Sequence, residues 1–296
     1  MRNSSIDWGR FGLIGLIALA AAAFIPTESA LAGAWTREQN QYLLVVPMDY
    51  TVADKQFDEN GDKVDRLKFQ QIVLGPYMEF GLTDNFTMGA QANFRWVRQS
   101  LPMNDSAENT SLSDVSALAR YRLWGEDAAA FSFQALVKIP ADANELEAAA
   151  LGFDQVDVEG SFLFGNAVPA GSGRVFYNVD LGYRKRFDTP SDEIHGNAYV
   201  GWSPGGTRWS FVLASNNTFG LDNEDNNVFE ALTARPDYRR NQAQLSASYR
   251  VSERFSVVAG GNTTFSGRNV GVSHGAFIAL VFSLDPSMIF GTEPYF

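Results

Sequence analysis

The sequence predicts a closed, all-β, antiparallel transmembrane β-barrel of about twelve strands. Three observations lead there: an export leader, a two-residue alternation along the whole remaining chain, and connections that sort into short and long sets. The alternation alone is ambiguous. In "RRNQAQLSASYRV" one face carries Arg240, Gln242, Gln244, Ser246, Ser248 and Arg250, and the other Ala243, Leu245, Ala247, Tyr249 and Val251. A soluble sheet buries the second face, whereas a membrane barrel turns it to lipid and encloses water with the first.

The leader comes first. "MRNSSIDWGR" supplies Arg2 and Arg10, "FGLIGLIALAAAAFIP" is an apolar run ended by Pro26, and Ala30-Leu31-Ala32 is a small-x-small cleavage signal. Residues 1–32 therefore read as a cleaved secretory signal peptide, with the mature start near Gly33. The run is shorter than the ~20 apolar residues a spanning helix needs. Charged or polar residues interrupt every later apolar run, so a membrane-spanning mature chain must be a closed barrel. The expected plan is leader 1–32, barrel 33–285 and a C-terminal tail 286–296, with both barrel termini periplasmic and the protein in a Gram-negative outer membrane.

Alternation then places the strands in order. The first three occupy 40–52, 67–82 and 85–98. In the fourth, 112–124, Val115, Ala117, Ala119, Tyr121 and Leu123 oppose Asp114, Ser116, Arg120 and Arg122. In the fifth, 129–140, Phe131, Phe133, Ala135, Val137 and Ile139 oppose Ser132, Gln134 and Lys138. The sixth, 153–166, sets Val156, Val158, Phe162 and Phe164 against Gln155, Asp157, Glu159 and Ser161. The seventh, 173–187, sets Val175, Tyr177, Val179, Leu181 and Tyr183 against Asn178, Asp180, Arg184 and Arg186. The same pattern gives 193–203, 207–219, 238–251, 254–267 and 271–284.

Tight turns fall at "LTDN" (82–85), "GED" (125–127), "SPGG" (203–206) and "SER" (252–254), with "NAVPAGSG" of moderate length. Longer polar loops fall at 53–66, 99–111, 141–152 and 220–237, alongside short links near 188–192 and 268–270. Short turns at one end, long loops at the other and an even strand count are the outer-membrane plan. Aromatics cluster beside the turns (Phe80, Phe86, Trp124, Trp202, Trp209, Tyr249, Phe255) and toward the loops (Phe94, Trp96, Tyr183, Phe187, Phe265), as interfacial girdles require.

Composition narrows the chemistry. The 296 residues contain no cysteine, which removes disulfides, thiolate metal sites and a cysteine nucleophile. A net charge of −11 argues against a nucleic-acid partner. Much of the acid lies in loops such as "DKQFDENGDKVD" and "DNEDNN". "DENGDKVD" offers calcium-loop oxygens at Asp58, Asn60 and Asp62, but Lys63 stands where the turn glycine belongs and Phe69 where the bidentate acid belongs. No metal or cofactor is expected. Neither His195 nor His274 is followed two residues later by serine, so the histidine–serine pair of an outer-membrane phospholipase is missing and no enzyme is expected.

The inward parity is the richest constellation. It gives Glu79, Asp114, Asp157, Glu159 and Asp180 as acids, and Arg95, Arg120, Arg122, Lys138, Arg184, Arg186, Arg208, Arg240 and Arg250 as bases. Hairpin registers suggest pairing Asp114 with Lys138, and Asp157 or Glu159 with the stretch from Asp180 to Arg184. Such charges either fill a narrow lumen as salt bridges or, through their positive excess, select anionic solutes.

The last strand, "VSHGAFIALVFSL", has the form of a barrel-assembly signal in Ser273, Gly275, Ile278 and Leu280, although the chain runs on to Phe296. Outer-membrane lipid, lipopolysaccharide, the barrel-assembly machinery and a small-molecule solute are the expected partners. "AGAWTREQNQYL", "ADKQFDENGD" and "YMEFGLTDNFTMGAQ" resemble the XagA-like proteobacterial outer-membrane proteins, which are similar in plan to the MetA-pathway phenol-degradation barrel family. The resemblance implies passage of hydrophobic or aromatic compounds, while the inward arginines point to acidic ones. The expected function is a passive channel for small molecules through a narrow, arginine-containing lumen. The alternative is a non-conducting accessory barrel serving envelope integrity or polysaccharide export.

Overall fold

The computed structural model describes residues 33–125, 128–142, 149, 151–152, 155–187, 191–223 and 237–284; the leader 1–32 and the tail 286–296 lie outside them. Among these residues thirteen strands run in sequence: β1 (Tyr42–Phe57), β2 (Lys63–Leu74), β3 (Tyr77–Thr83), β4 (Phe86–Ser100), β5 (Ser106–Gly125), β6 (Ala129–Pro140), β7 (Asp157–Ala170), β8 (Gly173–Arg186), β9 (Glu193–Ser203), β10 (Trp209–Gly220), β11 (Arg239–Arg250), β12 (Phe255–Arg268) and β13 (Val270–Leu284). Neighbours pair antiparallel, and β13 returns to pair with β1 from Tyr42↔Leu284 to Phe57↔Val270. The sheet is closed, so no strand edge is left for another chain to pair with.

The barrel has twelve staves, because β2 and β3 are halves of one. Val45↔Tyr77 and Met48↔Leu74 place both on β1. The predicted strand 67–82 breaks at Gly75-Pro76, since proline has no N–H to give the ladder. The interrupted backbone is still satisfied: the Gly75 amide donates to Pro47 O at 3.1 Å, and Pro76 O accepts from the Ala92 amide at 3.1 Å.

Burial reverses the soluble rule. Met48, Ile72, Met88, Leu181, Leu213 and Leu245 stand on the exposed outer wall. Gln71, Glu79, Asn93, Arg95, Arg120, Asp157 and Asn178 are buried inside. Only a solvent of hydrocarbon outside makes this arrangement favourable. Turn-end rings form a belt, with Trp209 against Tyr249 at 4.8 Å and Phe255 on Phe282 at 4.9 Å between centroids.

The loop-end limits differ from expectation. Residues 53–66 and 99–111, expected as loops, are mostly strand: β1 continues to Phe57, β2 starts at Lys63, β4 reaches Ser100 and β5 starts at Ser106. Beyond the lipid both faces of a strand meet water, so charge does not end the pairing, and polarity alone was a poor marker of a loop. "NAVPAGSG" likewise reduces to a tight turn at Gly171 and Ser172, with Gly171 at φ 59°. A bulge at Ser113 adds one residue to β5, with Asn93↔Asp114 followed by Phe94↔Leu112.

Candidate functional site

The lumen is divided lengthwise into two walls, and the chain's own N-terminal segment makes the division. From the turn end, where the Asn40 amide donates to Gly81 O at 2.8 Å, the segment enters the barrel. The Arg37 guanidinium meets Glu79 at 2.7 Å, and its amide donates to Thr87 Oγ1 at 2.7 Å. Trp35 O accepts from Arg120 at 3.1 Å, and Ala34 O accepts from Ser132 Oγ at 2.5 Å. Ala34 packs with Ala130 and Leu163, and the Trp35 ring lies over Gly165, where an added Cβ would strike it at 2.5 Å. Sequence alternation cannot register such a plug, because residues 33–39 are not strand.

Charged side chains along β3–β9 form the packed wall. Glu79, fully buried, serves Arg37 and also Arg120 at 3.0 Å, and accepts from the Tyr77 hydroxyl at 2.5 Å. Asp114 pairs with Arg95 at 3.4 Å and accepts from Asn93 at 2.7 Å. The expected Asp114–Lys138 pair does not form. Lys138 lies opposite Ser116 on one side and Asp157 on the other, and it takes Asp157 at 2.7 Å. Glu159 does face Arg184, at 2.7 Å. Glu193, not among the expected site residues, gathers Arg186, Arg184 at 3.6 Å, His195 at 2.6 Å and the Tyr238 hydroxyl. It begins a strand whose alternation starts with it, which was the available signal.

Two inward groups stand apart. Asp180 accepts from Asn197 at 2.8 Å through one oxygen, and its other oxygen has no partner among the described residues. Arg240 is 7% exposed, touches Thr218 Oγ1 at 3.4 Å, and has no partner for Nε or Nη1 there. Arg122, Arg208 and Arg250, expected inside, sit at the turn end. Arg122 donates to Asn85 Oδ1 at 2.7 Å, Arg208 to Val251 O at 3.2 Å, and Arg250 is exposed. Tight turns bring their last strand residues out of the barrel mouth, so parity alone overcounted the lumen.

The opposite wall, β10–β13 with β1, is open. A cavity of about 320 Å³ is lined there by Val45, Val212, Ser246, Val258, Phe277 and Ala279, and reaches Tyr199 and Phe176 on the far side. Small and apolar side chains with scattered hydroxyls replace the ion pairs, and the one acid in the lining, Asp49, accepts from Thr51 Oγ1 at 2.6 Å and Asn262 Nδ2 at 3.2 Å. At the loop end Ala149 and Leu151 pack on Phe69 and Val97, and Phe57 packs with Val270 and Val272. Also there, Asp192 accepts from the Arg186 amide at 2.9 Å, Tyr183 at 2.7 Å, Lys185 at 3.1 Å and Asn223 at 2.7 Å. Burial alone would raise its pKa, but these donors hold it at about 2.

The remaining candidates are placed as follows. Ser273 and Gly275 face the lumen, Ser273 bonding Thr264 at 2.7 Å, while Ile278 and Leu280 face outward. His274 lies outside, bonded to Thr263 at 2.9 Å. Asp58 Oδ1 accepts the amides of Asn60 at 2.8 Å and Asp62 at 2.9 Å, closing the β1–β2 turn.

Several solved structures share this fold, three of which follow. The COG4313 outer membrane channel from Pseudomonas putida F1 superposes with a TM-score of 0.66 at 15% identity, covering 88% of this chain and 100% of that one. The transport unit of the autotransporter AIDA-I from Escherichia coli gives 0.51 at 10% identity over 92% and 98% of the two chains. The NanC porin gives 0.50 at 9% identity over 81% and 100%. No curated protein sequence matches the chain. A family model described as "Putative MetA-pathway of phenol degradation" matches residues 53–280, most of the barrel, and the chain belongs to that family.

Proposed function

We propose that this barrel is a passive outer-membrane channel for small molecules that combine an apolar, often aromatic, body with an acidic group. The divided lumen carries the reading. The cavity of about 320 Å³ has apolar walls and hydroxyl rims, and about 150 Å³ suffices to hold benzene. Arg240 lies on β11, one of the strands that line the cavity, is buried and makes no salt bridge among the described residues; on this reading its charge, rather than the cavity wall that holds Asp49, meets the acid group. The family is associated by its description with phenol degradation, which suits an aromatic solute. The turn end, carrying the N-terminal segment, faces the periplasm in this reading.

Liposome swelling with an aromatic monocarboxylate and with a neutral sugar of similar size tests it. The carboxylate is expected to enter severalfold faster, and Ala279→Trp, which fills the cavity, is expected to abolish the difference. Equal entry of both solutes in the wild type would reject the solute class. The plug supports a second reading, a closed accessory barrel; absence of ion current at any voltage in planar bilayers would favour it over the first.

A further inference from the structure

We propose that removal of the leader gives Gly33 a free α-ammonium group, which Asp180 and Asn178 hold, so that processing itself anchors the N-terminal segment inside the barrel. The inference rests on reading residues 1–32 as a cleaved leader and is independent of which solute passes. Hydrolysis of the Ala32–Gly33 peptide bond by a leader peptidase consumes one water. The hydroxyl goes to the Ala32 carbonyl carbon and a proton to the Gly33 nitrogen, which takes a second proton from solvent.

The receiving site is already built. Gly33 is buried at φ 58°, and a Cβ there would stand 2.7 Å from the Tyr199 hydroxyl and 3.4 Å from Asn178 Oδ1. Only glycine accepts both that conformation and that approach. Asn178 is completely buried, yet neither atom of its carboxamide has a partner among the described residues. Asp180 lies two residues along the same inward face of β8, 6% exposed, with one oxygen unpartnered there. Arg120, the arginine the segment itself touches, is committed elsewhere: Nε and Nη2 go to Gln134, and Nη1 to Trp35 O and Glu79.

A buried carboxyl group with no salt bridge and one unpartnered oxygen, and a buried carboxamide with neither atom partnered among the described residues, are both costly. In the unprocessed chain the Gly33 nitrogen is an uncharged amide with one proton. After cleavage it is an ammonium with three, charged at neutral pH because its reference pKa is about 8. On this proposal its three donors serve Asp180, Asn178 Oδ1 and the Tyr199 hydroxyl oxygen, the last two of which lie beside the Gly33 Cα. Export thus converts an orphaned acidic niche into a tether, and the plug is fastened only in the processed protein.

Acylation of the α-amine near neutral pH, followed by mass spectrometry, tests this on protein purified from the outer membrane. The mature chain is expected to begin at Gly33. A partner carboxylate that raises the amine pKa by about one unit cuts its reactive fraction tenfold. Wild-type protein should therefore label about tenfold more slowly than Asp180→Asn. Insertion of Gly-Ser between Ala32 and Gly33 displaces the amine and leaves every lumen side chain intact, so it should label at the fast rate even if Asp180→Asn fails to fold. A mature start at another residue, or a wild-type rate equal to that of the extended protein, overturns the proposal.

Discussion

The two walls of the lumen are made of the same kind of strand yet solve opposite problems. Along β3–β9 carboxylates and guanidinium groups neutralise one another and grip the N-terminal segment. Along β10–β13 serine, glycine, valine and alanine leave space, and the buried Arg240 makes no salt bridge among the described residues, Glu193 being the acid whose charge reaches it. Charge on the first wall is structural glue. On the second, Arg240 makes no salt bridge among the described residues, which is why it enters the proposed function.

Removing residues 33–40 while retaining the leader is the sharpest way to break this contrast. It strips the packed wall of its occupant, and single-channel current in planar bilayers should rise severalfold. An unchanged current would mean that the segment does not obstruct the lumen.

Glu79→Gln comes next. Arg37 and Arg120 both lose their carboxylate, one of them in full burial, so unfolding in urea should show a loss of about 3–5 kcal/mol. A loss below ~1 kcal/mol would show that the packed wall does not depend on this shared acid.

Arg240→Gln is expected to act in the other direction on stability. It removes a buried cation with no salt bridge among the described residues, so unfolding free energy should hold or rise by about 1–3 kcal/mol, while the reversal potential in a salt gradient moves toward cation preference. A destabilised variant with unchanged selectivity would move Arg240 to the structural wall.

The smallest effect concerns the loop end. Asp192 is held at about 2 in the folded protein, below the roughly 3.9 of an unfolded chain. A depressed pKa contributes stability above the unfolded value, and that contribution fades as pH falls from about 4 toward 2. Asp192→Asn should therefore melt below wild type at pH 7, with the gap closing toward pH 2. A gap that persists at pH 2 would assign the effect to lost hydrogen bonds alone.

The staves were legible because a barrel wall repeats one rule: outward residues meet lipid and inward ones do not. Ile139, Phe162 and Leu181 announce it at every second position. What escaped was everything that does not repeat. Proline at position 76 splits a stave without disturbing alternation, and Ser113 shifts a register by one residue. Lys138 had two acids within plausible reach, and only cross-strand geometry chose Asp157. The plug was invisible because Trp35 and Arg37 find their partners across the lumen, 85 and 42 residues away in sequence.

The β1–β13 seam has a kinetic consequence. It joins Tyr42 to Leu284, so the cylinder cannot close until β13 has been delivered. Across it, Asn262 on β12 reaches Asp49 at a separation of 213 residues. Contacts this remote in sequence are slow to form, since every intervening residue enlarges the loop to be closed. A chain that stops before β13 would present two raw edges, at β1 and β12, in place of a seam. Closure therefore acts as a completeness check: only a full-length chain can hide its edges from other chains.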